Sequence, residues 1–346
     1  MPPDTTLEDV AQRAGVHRST VSLALRNSPR IRPEVRQRIQ EIAHEMHYRV
    51  NPLVATLMRS RRSGHAVKHV CLAYVTNYPT RYGWRPEHHD RPDFFPGAQQ
   101  RAEELGYKLE HFWLAEPGMT PARMSDILSR RAITGVLLGR LPPGHSAIEL
   151  CWERFAAVAL GYTLRAPLLH HVAEDAFSGV TQIVEQCLAR GYKRLGFVVA
   201  DIDDSPSWGN RLFGAFLRQQ YLLPRDHQIP PCDYEPGPGF REKFLAWVNQ
   251  WKPEAIISTR SQPIFDWLRA AGYALPRDIG LATMLNNHPE HGVSGIYNDP
   301  RLLGALATDM VVGMLHRGET GLPADPHFVL SPGVWFDAGT LRSPEK

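Results

Sequence analysis

The strongest constraint on the fold is a series of helix start and stop signals in the first 46 residues. Thr6 and Asp9 have the spacing of a capping box, with Asp where Glu or Gln is usual. Gly15 is able to take the left-handed conformation that ends a helix. A second helix is predicted over about residues 18–25, and Pro33 is suited to the first position of a third. Three short helices, the first two joined by a tight glycine turn, predict a helix-turn-helix unit.

The apolar residues of these helices recur with helical spacing, which predicts one small core. The residues expected to face inward are Leu7, Val10, Ala11, Ala14, Val16, Val21, Ala24, Leu25, Val35, Ile39, Ile42 and Met46. The second helix then leaves four side chains on its outer face, namely Arg18, Ser19, Ser22 and Leu23.

The charge of the chain is concentrated in this region. Residues 1–65 hold eleven Arg, no Lys and six Asp or Glu, a net charge of +5, whereas the remainder carries a net charge of −2. A basic head on a slightly acidic body indicates a polyanionic partner. Hydroxyls and arginines at a helix start suit the phosphates and base edges of a DNA major groove. The alternative is a three-helix bundle with a solvated polar face.

Three segments carry a resemblance to a known family: "TLEDVAQRAGVHRSTVSLAL", "PRIRPEVRQRI" and "MHYRVNPLVATLMRSRR". They resemble the lactose-repressor (LacI) family of bacterial transcription regulators. The resemblance implies a DNA-binding domain over residues 1–50, with Arg18 and Ser19 at base edges and Thr20 and Ser22 mainly at phosphates. His17 replaces the usual Ser, so we expect a weaker helix cap or a phosphate contact. The DNA-binding residues expected here are Thr6, His17, Arg18, Ser19, Thr20, Ser22, Leu23, Arg26 and Arg30.

Residues 51–65 form a basic linker. Asn51 is able to cap a helix that Pro52 begins, but such a helix is too short to be stable alone. The resemblance implies a hinge helix that orders on DNA, with Asn51, Val54 and Leu57 at the minor groove and Leu57 as the wedge. Val54 stands where the family usually has Ala. A flexible tether is the alternative.

The body, residues 66–346, alternates strand-like and helix-like segments, which predicts parallel α/β sheets. We expect a helical segment between the strands "GVLLG" and "AAVAL". A faint internal duplication suggests two lobes. The fold class expected overall is a small all-α helix-turn-helix domain joined to an α/β two-lobed periplasmic-binding-protein-like domain, the latter binding an effector and forming a homodimer. Leu302, Leu306, Met310 and Met314 make a stripe that would serve the dimer or simply pack in the core.

An effector is expected at the carboxyl ends of the strands, facing the cleft. The residues expected to line it are Asn77, Phe94, Phe95, Tyr162, Asp175, Trp208, Asn210, Arg260 and Asn286. The resemblance implies an arginine and a carboxylate in sugar-binding members. We place these at Gly209 and at Leu285 or Asn286, so both are expected to be missing. The pocket would then be aromatic, suited to a sugar derivative or another amphipathic ligand, and simple pentoses and hexoses should not bind tightly.

Other functions have little support in the sequence. GxSxG, Walker and HExxH motifs are missing, and four dispersed cysteines suggest neither a disulfide framework nor zinc. The "HHD" at 88–90 and the acidic "DIDDSP" at 201–206 are expected to be loops and not metal sites, and no cofactor is expected. A polar N-terminus without a signal peptide and the lack of a membrane-length apolar run predict a cytoplasmic protein. The competing hypothesis is an α/β enzyme or solute-binding protein with an accessory basic head.

Overall fold

The computed structural model describes residues 6–25, 31–46, 70–86, 92–199, 206–233, 237, 239–284 and 292–344. The chain divides into two compact units: Met1–Val70 with Val312–Glu319, and Cys71–Val311 with Thr320–Lys346. The candidate DNA-binding head lies in the first unit, and both lobes of the effector region lie in the second.

Three helices make up the described part of the head: α1 (Leu7–Ala14), α2 (Arg18–Ala24) and α3 (Pro33–Glu45). The predicted capping box is present, because Thr6 Oγ1 accepts from the Asp9 N–H and Asp9 Oδ2 accepts from the Thr6 N–H. Gly15 ends α1 in the left-handed conformation, with φ of 66°. Both local signals were therefore interpreted correctly from the sequence.

The head has a small core in which most of the predicted residues take part. Its fully buried members are Val10, Ala11, Ala14, Val21, Ala24, Ile39 and Ala43. Val35 was expected inside but is 38% exposed, which makes that prediction wrong. Val35 lies in the first turn of α3, and the buried face of this helix begins one turn later at Ile39.

The strands of the body, in chain order, are β1 (Val70–Thr76), β2 (Tyr107–Trp113), β3 (Gly135–Leu138), β4 (Ala156–Leu160), β5 (His170–Glu174), β6 (Leu195–Val199), β7 (Cys232–Asp233), β8 (Ala255–Ser258), β9 (Gly280–Thr283), β10 (Ser294–Tyr297), β11 (Phe328–Ser331) and β12 (Val334–Phe336). They form one sheet of order β11-β5-β4-β3-β1-β2 and another of order β12-β10-β9-β8-β6-β7. The first sheet is parallel at β11-β5-β4-β3-β1. In the second, β10 and β12 are antiparallel and the other pairs are parallel.

The helices of the body are α4 (Phe95–Glu104), α5 (Pro121–Arg130), α6 (Ala176–Leu188), α7 (Pro206–Leu222), α8 (Phe240–Trp251), α9 (Ser261–Ala270) and α10 (Pro300–Arg317). The prediction of a helical segment between β3 and β4 is wrong. Only a short 3-10 turn at Trp152–Arg154 is found there. Pro142 and Pro143 lack the backbone donors that a helix needs, which accounts for the difference.

The chain passes between the two sheets after β5, after β10 and after β11. Each lobe therefore has its own parallel-rich sheet, as the predicted two-lobed fold requires. In the first lobe, α4 and α10 approach so closely that a Cβ added at Gly304 would lie 2.1 Å from the Phe94 carbonyl oxygen, and one added at Gly97 would lie 2.0 Å from the Arg301 carbonyl oxygen. This contact fixes the segment that carries Phe94 and Phe95.

Candidate nucleic-acid interface and effector cleft

His17 caps the start of α2. Its Nδ1 accepts from the Ser19 N–H at 3.3 Å and lies 2.8 Å from Ser19 Oγ. An imidazole thus performs the task that a short hydroxyl or carboxylate usually performs at this position. Of the two outcomes expected for His17, the structure shows a cap made by its side chain, while a phosphate contact by the opposite ring nitrogen stays a prediction.

The residues expected to meet DNA surround this cap. His17, Arg18 and Ser19 are exposed, whereas Val21 and Ala24 are buried. Half-buried positions on the same helix are Thr20, Ser22 and Leu23. The start of α2 therefore presents a basic, hydroxyl-bearing surface, which is the chemistry needed to read a major groove.

The other residues expected to contact DNA do not lie at the start of α2. The Thr6 hydroxyl donates to Asp9 Oδ2 at 2.6 Å, so it is already used in the α1 cap. These hydrogen bonds from Thr6 hold the pKa of Asp9 below its ordinary value. The remaining predicted residues, Arg26, Arg30, Asn51, Val54 and Leu57, lie outside the described residues.

A contact that the sequence did not reveal fixes the other end of α2. Gln40 Nε2 on α3 donates to the Ala24 carbonyl oxygen at 3.2 Å. The carbonyls of a last helical turn have no partners inside their own helix, so this bond satisfies one of them and ties α2 to α3. An amide sixteen residues away gives no local signal of such a role.

In the body, Tyr162 of the first lobe packs against α7 of the second. Its hydroxyl donates to the Glu174 carbonyl oxygen at 2.5 Å, and its ring belongs to the same core cluster as Trp208 and Leu212 of α7. Burial raises the pKa of the Tyr162 phenol, and the nearby Glu174 carboxylate raises it further. The structure thus brings together Tyr162 and Trp208, two of the predicted effector residues.

The polar residues predicted to line the effector site lie on separate elements of the body. Asp175 caps α6 by accepting from the Ser178 N–H at 3.1 Å and from the Ser178 hydroxyl at 2.6 Å. Asn77 is half-buried after β1, and Asn210 is exposed on α7. Arg260 is half-buried before α9, and its N–H donates to Ser258 Oγ at 3.0 Å. Asn286 lies outside the described residues.

Two further residues at the lobe junction were missed from the sequence. The Arg211 guanidinium of α7 lies 5.0 Å from the centroid of the Tyr162 ring and 5.9 Å from that of Phe328. Arg211 lies two residues after Gly209, the position at which the resemblance implies an arginine. Glu174, the last residue of β5, is 3% exposed. The acidic pair Glu174–Asp175 after a strand was a signal that could have identified it.

Phe94 and Phe95 pack inside the first lobe. Phe94 is 1% exposed. The Phe95 ring centroid lies 5.2 Å from that of Tyr74 and 5.4 Å from that of Trp84. In this structure the rings expected to stack on a ligand therefore stack within the protein.

Trp84 connects this aromatic group to charged neighbours. Arg85 lies 4.5 Å from the Trp84 ring centroid and pairs with Asp93 at 2.9 Å. His111 lies 5.0 Å from the Trp84 ring and 2.7 Å from Thr76 Oγ1. Burial lowers the pKa of His111 to about 4, with smaller contributions from Arg81 and Arg85. The loop after β1 is thus anchored by stacking.

Within the described residues, no group of three or more His, Cys, Asp or Glu side chains could hold a metal ion. The segment at 88–90 and most of that at 201–206 lie outside the described part.

None of the described helices combines the length and apolar character needed to cross a membrane.

Comparison with known families gives a match at each end of the chain. Residues 6–51 match the bacterial regulatory proteins of the lacI family, and residues 184–335 match the periplasmic binding protein-like domain. Among curated proteins, the HTH-type transcriptional regulator IpsA of Corynebacterium glutamicum is 23% identical over 339 residues, which cover 90% of this chain and 92% of IpsA. The HTH-type transcriptional repressor PurR of Klebsiella pneumoniae is 21% identical and covers 80% of this chain and 79% of its own.

Solved structures show the same fold. A lac repressor dimer bound to operator and the anti-inducer ONPF superimposes with a TM-score of 0.56 at 14% identity, covering 99% of this chain and 100% of that one. The transcriptional regulator CelR in complex with cellobiose gives a TM-score of 0.57 at 17% identity, with coverage of 97% and 99%.

A helix-turn-helix head combined with a periplasmic-binding-protein-like body defines a DNA-binding transcription regulator under effector control. The matched relatives are regulators and not enzymes, so the enzyme hypothesis is set aside. The head matches the lacI family of bacterial regulatory proteins, and the IpsA and PurR relatives are similar to this chain over most of its length.

Proposed function

We propose that this chain is a cytoplasmic repressor that binds a palindromic operator as a homodimer and is controlled by a sugar or sugar derivative bound where its lobes meet. The observation that carries the DNA part is the exposed start of α2, where His17, Arg18 and Ser19 stand on a helix held by caps at both ends. A single head of this kind reads one half-site, so a dimer and a two-fold symmetric site follow.

The order of contacts on DNA follows from the helix start. Arg18 and Ser19 are exposed and Thr20 and Ser22 are half-buried. We propose that the first two reach base edges and that the other two mainly contact phosphates. Arginine paired with guanine discriminates by about 1–3 kcal/mol when the contact is bidentate. We therefore assign sequence preference mainly to Arg18.

The test is selection of bound DNA from a random pool with the full chain, followed by alignment of the recovered sites. The expected result is an inverted repeat whose recovery depends on salt, because phosphate contacts release counterions. Recovery of sites without two-fold symmetry would contradict the dimeric operator, and failure to enrich any sequence would contradict the proposal itself.

The linker over residues 51–65 is proposed to order on DNA and to insert Leu57 into the minor groove. Wedging an apolar side chain into a base step bends the duplex at a cost of about a few kcal/mol. Leu57→Ala should therefore reduce DNA bending as well as affinity, as measured by gel mobility of circularly permuted operator fragments. Bending that is unchanged in the variant would support a flexible tether.

Effector control is supported by the way the lobes meet. The Arg211 guanidinium of the second lobe lies against Tyr162 and Phe328 of the first. A ligand that binds one arrangement of the lobes more tightly than another shifts the population between them and so changes operator affinity. Repression is proposed as the mode because the PurR relatives are named repressors.

The stripe on α10 is a candidate part of the dimer contact, and its exposure varies along the helix. Leu302 is 48% exposed, Leu306 and Met310 are half-buried, and Met314 is buried. Leu302 is therefore the member of the stripe that we propose for an interface, while Met314 contributes to packing.

A further inference from the structure

Leu23 is an apolar side chain on the outer face of α2. It lies four residues after Ser19, so the two side chains stand one above the other on the same side of the helix. Val21, two residues from each, points to the opposite side and is fully buried in the core of the head. Leu23 itself is half-buried, and among the described residues it is not one of those that pack on that core. Packing of the head therefore does not account for a leucine at this position.

The surroundings of Leu23 are polar. Ser19 is exposed one turn before it, Ser22 is half-buried beside it, and Arg18 is exposed at the start of the same helix. A single apolar side chain at a protein surface is ordinary and needs no partner. Leu23 differs in its place, because it lies in the surface that the proposed function brings against DNA. Any group of DNA that it covers there loses water on contact.

The major groove offers few groups that suit a leucine. Phosphates require cations or hydrogen-bond donors, and the edges of adenine, guanine and cytosine present donors and acceptors that a leucine leaves without partners. A polar group that loses water without gaining a hydrogen bond opposes binding. The exception is the C5 methyl group of thymine, which is apolar and lies in the major groove. Leu23 is therefore complementary to thymine and unfavourable opposite the other bases.

We infer that Leu23 is a specificity-determining residue, which selects a thymine in each half-site of the operator by packing on the thymine methyl group. The inference rests on the proposed function, because it requires α2 to lie in a major groove. An α-helix rises about 1.5 Å per residue, so Leu23 lies about 6 Å beyond Ser19 along the helix axis. Successive nucleotides of a strand are about 3.4 Å apart along the duplex, which places the thymine about one or two base pairs from the pair that Ser19 meets.

The first test changes the DNA and leaves the protein as it is. The full chain selects its operator from a random pool, and each thymine of the recovered half-site is replaced in turn by uracil, which lacks only the C5 methyl group. Replacement at the Leu23 position should weaken binding about fourfold per half-site, as expected for one buried methyl group. A half-site without thymine, or equal binding of uracil at every position, would overturn the inference.

A complementary measurement adds the methyl group to another base. An operator with cytosine at the same position should bind more tightly after methylation of that cytosine at C5, because the leucine then meets a methyl group again. The ratio of thymine to uracil affinities should also stay constant as salt is raised, while both affinities fall, since only phosphate contacts release counterions. A ratio that disappears at high salt would contradict an apolar contact.

Variants assign the methyl contact to Leu23. Leu23→Ala should bind the thymine and uracil operators with about equal affinity, whereas Leu23→Met, which keeps an apolar side chain of similar size, should retain the preference. Val35→Ala is the matched control, because Val35 is also a partly exposed apolar residue of the head but lies on α3, and its preference should equal that of the wild type. A preference that persists unchanged in Leu23→Ala would assign the effect to another residue or to DNA shape and would overturn the inference.

Operator selection separates the inference from the proposed function. If the wild type enriches no sequence, the proposed function fails and the inference fails with it. If the wild type binds an inverted repeat but shows no preference for thymine over uracil, the inference alone fails. Because this comparison uses the wild type, it decides even where a variant does not fold.

Discussion

The start of α2 and the junction of the two lobes both present polar groups to a ligand, but they are assembled over different distances along the chain. At α2, His17 caps the helix through Ser19, two residues away. At the junction, Arg211 of α7 lies against both Tyr162 and Phe328, and Phe328 belongs to a strand near the end of the chain. Local hydrogen bonds thus define the first surface, and sheet topology defines the second.

This difference affects how each surface responds to change. A substitution at the α2 start should act within one helical turn, since its partners are there. The junction depends on close packing between elements that are far apart along the chain. A substitution at one of those packing contacts should therefore disturb the junction even where the residue does not touch a ligand. The predictions below are ordered by the size of that expected effect.

The largest effect is expected where α4 meets α10. Gly304→Ala should destabilise the body by about 3 kcal/mol or more, because its Cβ would lie 2.1 Å from the Phe94 carbonyl oxygen and 2.7 Å from the Ala98 nitrogen, both backbone atoms. Urea unfolding followed by tryptophan fluorescence measures the change, since the Trp residues all lie in the body.

Gly214→Ala is the matched control for this prediction. Gly214 lies on α7, and an added Cβ would have no atom within 4 Å. Replacement of an exposed helical glycine should stabilise the protein by about 0.5–1 kcal/mol. Equal effects of the two substitutions would show that the α4–α10 contact is not close-packed in solution.

The features that could be predicted from the sequence are those made by local contacts, and the features that could not are those made by residues far apart along the chain. Thr6, Asp9 and Gly15 act within a few residues, so the sequence specifies the α1 boundaries directly. The spacing of apolar residues was insufficient to predict which of them are buried, because tertiary packing decides their burial. Val35 has helical spacing but is exposed outside the core of the head. Arg211 and Glu174 could not be placed, because only the order of strands brings β5, β11 and α7 together.

The second prediction concerns the DNA-facing surface. Arg18→Ala should lower discrimination at one base pair of each half-site by about 1–3 kcal/mol, because a bidentate contact to guanine is lost. Competition binding with operators substituted at each position measures it. Arg13→Ala, on the exposed last turn of α1, should leave base preference unchanged. A uniform loss of affinity for all sequences in Arg18→Ala would assign Arg18 to phosphate instead.

The third prediction is a pH dependence located in the body. The pKa of His111 is lowered from 6.5 to about 4 in the folded protein. The unfolded chain therefore takes up a proton at a pH at which the folded chain does not, and the free energy of unfolding should fall as the pH decreases from about 6.5 to 4. The contribution is about 1–2 kcal/mol, because partial solvent exposure reduces the full linkage value.

Replacement of this histidine checks the assignment. His111→Gln should flatten the pH dependence of the urea midpoint between pH 6.5 and 4, whereas the exposed His145→Gln of the same lobe should not. A slope that persists unchanged in His111→Gln would place the titrating group elsewhere.

The smallest effect is expected at the cap of α2, and it separates the two roles considered for His17. His17→Ala removes the acceptor for the Ser19 N–H and should cost about 1 kcal/mol locally, seen as roughly fivefold faster hydrogen exchange of the first α2 amides. His17→Ser supplies a hydroxyl cap and should restore the exchange rate. Operator affinity then decides the second role: if the imidazole also reaches a phosphate, His17→Ser restores protection but not affinity. Equal exchange in His17→Ala and the wild type would mean that the imidazole does not cap the helix in solution.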